Sequence, residues 1–142
     1  MILKFDNEHF QEFAYPKSTV SKYLKSAYKD LNIAKNSRQV DVIFQFSYNA
    51  FIKLGIALIA VHGYKVRSRS GHHIKIIDKA AKILNNTDIS AFGNSMRKTR
   101  NMELYDGGAS VSEKQAKAYF EFVNKTFLQS EKVFKEYFSA LL

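Results

Sequence analysis

Apolar residues recur along most of this chain at the three- and four-residue spacing of amphipathic helices, whereas the alternation typical of strands is scarce. The most apolar segment spans residues 40–61. Polar side chains interrupt it every four residues, at Asp41, Gln45, Asn49 and Lys53. This stripe breaks the run of about 18 apolar residues that a membrane-spanning helix needs. We therefore interpret residues 39–62 as a helix buried at the centre of the fold.

The same spacing predicts helices on both sides of this central one. They cover about residues 18–36, 74–84, 88–105 and 112–141. Ser18 or Thr19 can cap the first of them. Ser112 and Gln115 stand at the spacing of a capping box, which indicates where the long last helix begins.

The N-terminal segment is the least regular part of the pattern. Residues 5–14 carry three phenylalanines and end near Pro16, which predicts a short helix or arm. A chain of 142 residues suits one domain with one core. We therefore expect an all-α fold over residues 1–142: an up-and-down bundle of four main helices plus a short N-terminal helical element.

Charge and cysteine content narrow the possible partners. The chain has 22 basic and 13 acidic residues, a net charge of +9, and most of the excess lies in residues 1–106. This favours acidic partners, nucleic acid first, although a solvated Lys-rich surface explains it equally well. The absence of cysteine excludes disulfides, Cys-bound zinc and a thiol nucleophile. With no signal-peptide layout at the N-terminus, we expect a cytoplasmic protein that uses no cofactor or metal.

The strongest candidate for a functional site is the stretch 97–106. One face of the predicted helix gathers Arg97, Asn101 and Tyr105, with Arg100 beside them. Two guanidiniums, an amide and a phenol on one patch indicate an anion or phosphate site. An ion-pair network of the arginines with Glu103 or Asp106 remains an equally weighted alternative.

A second candidate is the basic segment 65–73, which leads into a predicted helix N-terminus. Backbone N–H groups and the helix dipole favour anions there, so its last residue, His73, is a candidate phosphate ligand. A solvated loop is the alternative interpretation. His72 and His73 would diverge by about 100° on a helix, so we expect no metal between them.

The polar stripe of the central helix is a third candidate. Its residues drift by about 40° every four positions, so they cannot all face one way. We interpret Gln45 and Asn49 as lining a cleft, and Asp41 and Lys53 as lying on the solvent side of an amphipathic helix.

The sequence Arg100-Asn101-Met102-Glu103-Leu104-Tyr105 resembles the Arg-Asn signature of HEPN domains, small helical bundles named for higher eukaryotes and prokaryotes nucleotide-binding. It looks most like a bacterial branch that reads Arg-x-x-Arg-Asn-x-x-x-Tyr-Asp, here residues 97–106. A long apolar helix ending in 58–64, a loop ending in 71–73 and a long final helix follow the family's order. The likeness covers about residues 18–140.

The resemblance implies a homodimer whose two signatures face a shared cleft. Catalytic members of the family are metal-independent ribonucleases in which Arg and His assist attack of the ribose 2′-OH on the phosphate. Many are toxins paired with nucleotidyltransferase-like antitoxins, and others only bind nucleotides, RNA or proteins.

Tyr105 departs from the family, because it stands where His is usual. A general acid–base works best with a pKa near the operating pH, and only about one phenol in a thousand is ionised at pH 7. We therefore expect a HEPN-like dimer of bacterial stress or toxin–antitoxin type that binds RNA or nucleotide phosphate with weak or no catalysis. An active ribonuclease toxin and a protein-binding adaptor or antitoxin-partner subunit are the alternatives.

The expected site residues fall into three groups. They are Arg100 and Tyr105 as catalytic residues, Arg97, Arg100, Asn101 and His73 as phosphate- or nucleotide-binding residues, and Gln45, Asn49 and Glu103 as cleft-lining residues.

Overall fold

The computed structural model describes residues 3–105 and 111–140, without the side chains of Leu104 and Tyr105. Within these ranges the chain forms five helices and two short strands. In chain order these are β1 (Phe10–Glu12), α1 (Lys17–Asn36), α2 (Val40–Val61), β2 (Tyr64–Val66), α3 (His72–Ile83), α4 (Thr87–Tyr105) and α5 (Glu113–Ser139). The expected all-α helical bundle is confirmed: each of the five predicted helical segments forms a helix, one more than the four main helices expected of the bundle.

Helix α2 is the centre of the core, as its apolar pattern predicted. Thirteen of its residues are buried, and it packs against α1, α3 and α5. By length and composition α2 could also cross a membrane, but 61% of its most apolar window is buried inside the fold. At Gly55 a Cβ would lie 2.5 Å from the Ile76 side chain, so the missing side chain lets α2 and α3 approach closely.

The expected N-terminal helical element is wrong. After a turn that closes with an Asp6 carbonyl to Phe10 N–H bond, residues 10–12 form β1, which pairs antiparallel with β2 in the register Phe10 to Val66. Phe10 is buried, and Phe5 stacks on Tyr64 with ring centroids 4.1 Å apart. The segment is extended because its partner strand lies more than fifty residues away, a contact that local spacing cannot reveal.

The helix boundaries follow the predicted ones closely, with one exception in capping. Helix α1 begins at Lys17 with Pro16 as N-cap and no side-chain cap, so neither Ser18 nor Thr19 serves that role. Pro16 is still extended, at φ −57° and ψ 145°, and the helix begins at the next residue, while the Pro16 carbonyl accepts the Val20 N–H at 3.2 Å. The capping box of α5 is confirmed, because Ser112 Oγ accepts the Gln115 N–H at 3.1 Å.

Candidate functional site

Three helices bring one titratable pair and two arginines together. Tyr48 lies on α2, 1% exposed, and its hydroxyl is 2.9 Å from Nδ1 of His73 in the first turn of α3. The guanidinium of Arg100, on α4, lies over the Tyr48 ring at 5.4 Å from the centroid. Arg97 lies one turn earlier on α4 and its charge acts on both Tyr48 and His73. We call Tyr48, His73, Arg97 and Arg100 the Arg–Tyr–His cluster.

Burial decides the protonation of the cluster. It raises the pKa of Tyr48 to about 12, against the opposing effect of the Arg100 and Arg97 charges. It also lowers the pKa of His73 to about 4, and electrostatic repulsion from His72, Arg100 and Arg97 acts in the same direction. At neutral pH the phenol is therefore protonated and the imidazole neutral, so the arginines carry the charge of the cluster.

Arg97 is oriented by a chain of neutral and acidic side chains. Its Nε donates to Asn94 Oδ1 at 3.2 Å, and the Asn94 amide donates to Asp78 Oδ1 at 3.3 Å and to the Ser90 carbonyl at 2.8 Å. The Ser90 hydroxyl donates to the same Asp78 oxygen at 2.6 Å. An amide therefore stands between Arg97 and the Asp78 carboxylate, so the guanidinium is held in place without a direct ion pair.

Arg100 is held by the Tyr48 ring. Its Nε is buried and has no hydrogen-bond partner among the described residues. A buried donor without a partner costs about 1–3 kcal/mol, more when the group is charged. The ring face recovers part of that through a cation–π contact.

The ion-pair alternative is wrong for Glu103. Its Oε2 accepts from Gln45 Nε2 at 3.0 Å and its Oε1 accepts the Val111 N–H at 3.3 Å. Among the described residues no salt bridge includes Arg97 or Arg100. Asp106, the other partner in that alternative, lies outside the described residues.

The polar stripe of α2 divides between two sides of the bundle. Gln45 and Glu103 meet between α2 and α4, and Asn49 and Asn101 are half-buried on the same two helices. Lys53 lies toward α1 and keeps 41% of its side chain exposed, so it stays on the solvent side as expected. Its amine lies 2.7 Å from the buried Asp30 carboxylate and 2.9 Å from Ser26 Oγ, and Asp41 is exposed as expected.

The basic segment 65–73 contributes only its last residue. Residues 64–66 form β2, and Arg67 Nε donates to the Asn7 carbonyl at 3.0 Å, so this arginine secures the N-terminal segment. The rings of His72 and His73 meet edge to face, 4.6 Å between centroids, despite the divergence expected of helix neighbours. Their Nδ1 atoms have different partners, the Arg69 carbonyl and the Tyr48 hydroxyl.

The residues that support the arginines were not predicted from the sequence; they are Tyr48, Asn94 and Asp78. Tyr48 lies in an apolar stretch that predicts a core residue, and its side chain is indeed buried in the core. Its hydroxyl was the available signal, because a buried phenol usually finds a hydrogen-bond partner. That partner is on a different helix, so spacing along α2 could not identify it.

No family model, curated protein or solved structure matches the chain. The HEPN resemblance therefore rests on the sequence motifs alone. Tyr105, the signature residue that stands where the family has His, ends α4 with its backbone. Its side chain lies outside the part of the chain that the structure describes.

Proposed function

We propose that the Arg–Tyr–His cluster binds phosphate groups of RNA or of a nucleotide, and that it cleaves them weakly or not at all. One observation carries the proposal. Among the residues that the structure describes, both arginines are fixed by groups that leave their charge unneutralised: Arg97 by an amide and Arg100 by an aromatic ring. A structural arginine in a partly buried setting is ordinarily paired with a carboxylate.

A phosphate group would supply the negative charge that the described partners of these arginines lack. The guanidinium presents donors in a planar fork that matches two phosphate oxygens, and such charge-assisted bonds are about twice as strong as neutral ones. His73 is uncharged, so it does not compete with the anion for the arginines as a carboxylate would. The surrounding excess of basic residues would attract a polyanion toward the site.

The protonation of the cluster argues for binding over cleavage. A histidine whose pKa is about 4 is almost wholly unprotonated at pH 7, so it cannot donate a proton to a leaving group, and it is a weak base. A tyrosine with a pKa of about 12 is a still poorer source of a base at that pH. The arginines could stabilise charge on phosphate, but no group in the cluster is matched to proton transfer at neutral pH.

The wider setting follows from the HEPN resemblance. On that basis the protein acts as a homodimer whose two clusters line a shared cleft, in a bacterial stress, defence or toxin–antitoxin system. A nucleotidyltransferase-like antitoxin is then a candidate partner. The order of the motifs in the sequence supports this part of the proposal.

Binding of a short, fluorescently labelled single-stranded RNA tests the function directly. We expect Arg97→Ala and Arg100→Ala each to weaken binding about 10- to 100-fold, since hydrogen bonds to charged groups contribute about 1.5–3 kcal/mol. Lys98→Ala is the matched control, because it removes one charge from an exposed site on the same helix. The slope of log affinity against log salt should fall by about 0.7 for each lost phosphate contact.

Three results would redirect the proposal. Equal losses in Lys98→Ala and Arg100→Ala would mean that the whole surface, and not the cluster, binds RNA. Efficient cleavage abolished by Arg100→Ala would identify a ribonuclease. A change of oligomeric state in Arg100→Ala with unchanged RNA affinity would favour a protein-binding adaptor.

A further inference from the structure

We propose that Tyr48 is a positioning residue of the phosphate site: its ring holds the Arg100 guanidinium, and its hydroxyl holds the His73 imidazole in one orientation and one tautomer. The inference rests on the proposed function and extends it to a residue of α2 that neither the HEPN signature nor the basic segment contains. It makes the central core helix part of the site.

The ring of Tyr48 has a clear geometric role. It is 1% exposed and therefore fixed by core packing, and the Arg100 guanidinium lies over its face at 5.4 Å. Arg100 Nε has no hydrogen-bond partner among the described residues, so within that part of the chain the ring contact is what orients this guanidinium. A fixed guanidinium loses less conformational freedom when it binds an anion than a mobile one does.

The hydroxyl of Tyr48 has a separate role at His73. In a neutral imidazole one ring nitrogen donates and the other accepts. A phenol is a better donor than a neutral imidazole N–H, so Tyr48 donates to Nδ1 across the 2.9 Å contact and the proton of His73 resides on Nε2. His73 then offers Nε2–H as an uncharged donor to a phosphate oxygen. The low pKa of His73 is consistent with this, because the neutral form is the one present at neutral pH.

Two substitutions separate these roles. Tyr48→Phe keeps the ring and removes the hydroxyl, whereas Tyr48→Leu removes both. We expect binding of inorganic pyrophosphate and of short single-stranded RNA at pH 7.5 to weaken about 3- to 10-fold in Tyr48→Phe. In Tyr48→Leu the loss should reach about 10- to 50-fold, because the cation–π contact is lost as well.

The decisive measurement follows the tautomer, which a merely structural role would not move. In ¹⁵N-histidine-labelled wild-type protein at pH 7.5, the His73 nitrogen shifts should show a single Nε2–H tautomer, and Tyr48→Phe should show exchange between the two tautomers. Phe44→Leu is the matched control, because it removes another fully buried ring from α2. It should lower stability while leaving both the tautomer and the affinity of the folded protein at wild-type values.

The outcomes distinguish this inference from the proposed function. If wild-type protein binds neither probe, the proposed function fails, and the tautomer data alone decide whether Tyr48 positions His73. If wild type binds and Tyr48→Phe keeps both its affinity and a single tautomer, the inference is refuted while the proposed function stands. A Phe44→Leu loss as large as that of Tyr48→Leu would likewise refute it, because the effect would then come from core packing.

Discussion

Acid should weaken the fold through His73, and the size of the effect can be derived from the structure. The pKa of His73 falls from the ordinary 6.5 to about 4 on folding, so the native state binds fewer protons than the unfolded chain between these values. Stability is therefore complete above pH 6.5 and is lost as the pH falls toward 4. At about 1.36 kcal/mol per pH unit the upper limit is about 3.4 kcal/mol. Because His73 is only half-buried, solvent screening reduces our expectation to about 1–2 kcal/mol.

Urea denaturation at pH 7.5, 6, 5 and 4.5 measures this effect in wild type and in His73→Gln. Glutamine keeps a polar side chain beside Tyr48 but cannot titrate, so its free energy of unfolding should fall less over this range. The difference between the two proteins isolates His73 from every other titrating group. His62→Gln is the control at an exposed histidine and should follow wild type. Parallel pH profiles for wild type and His73→Gln would refute the reasoning, because they would mean that His73 protonates equally well in the folded and unfolded states.

Three further substitutions test the packing and the charges. Gly93→Ala should lower the free energy of unfolding in urea by about 1–2 kcal/mol, because a Cβ would lie 2.7 Å from the side chains of Phe51 on α2 and Ile77 on α3. This overpacking outweighs a helix-propensity gain of about 1 kcal/mol, and a more stable variant would contradict the prediction. Lys53→Met should lower the free energy of unfolding by about 2–3 kcal/mol, because it leaves the buried Asp30 carboxylate unpaired. Adding Asp30→Leu should recover most of that loss, and a double-mutant cycle measures the recovery. Arg100→Met should change stability by less than about 1 kcal/mol while anion binding falls; a loss above about 3 kcal/mol would indicate a structural arginine.

The sequence predicted the fold where the pattern is local and periodic. The apolar run of α2, the capping box at Ser112 and the ends of most helices depend on neighbours within a turn or two, and these predictions were close. The prediction for the N-terminal segment was wrong because β1 exists through pairing with β2, and the ion pair of Lys53 with Asp30 was not predicted because Asp30 is on another helix. In both places a tertiary contact decides the structure, and local preference cannot reveal it.

The site was predictable only as far as it lies in one helix. Helical spacing brought Arg97 and Arg100 together, and the helix N-terminus suggested His73. Joining them required the crossing of α2, α3 and α4, which places Tyr48 between the imidazole and a guanidinium. The hydroxyl of Tyr48, on an otherwise apolar helix, was the one feature of the sequence that indicated this arrangement.

The energetics of the cluster give the strongest reason to regard it as functional. Arg100 keeps a buried Nε without a described hydrogen bond beside a neutral His73, so this arginine costs the folded state free energy at neutral pH. Groups that burden the native state in this way are usual at binding sites, where a ligand supplies the missing contacts. A bound phosphate would do so here, since its oxygens accept from guanidinium and imidazole N–H groups and its charge offsets both arginines. The protein should therefore become more stable as phosphate is added, by RT ln(1 + [L]/Kd), and Arg100→Met should remove most of that gain.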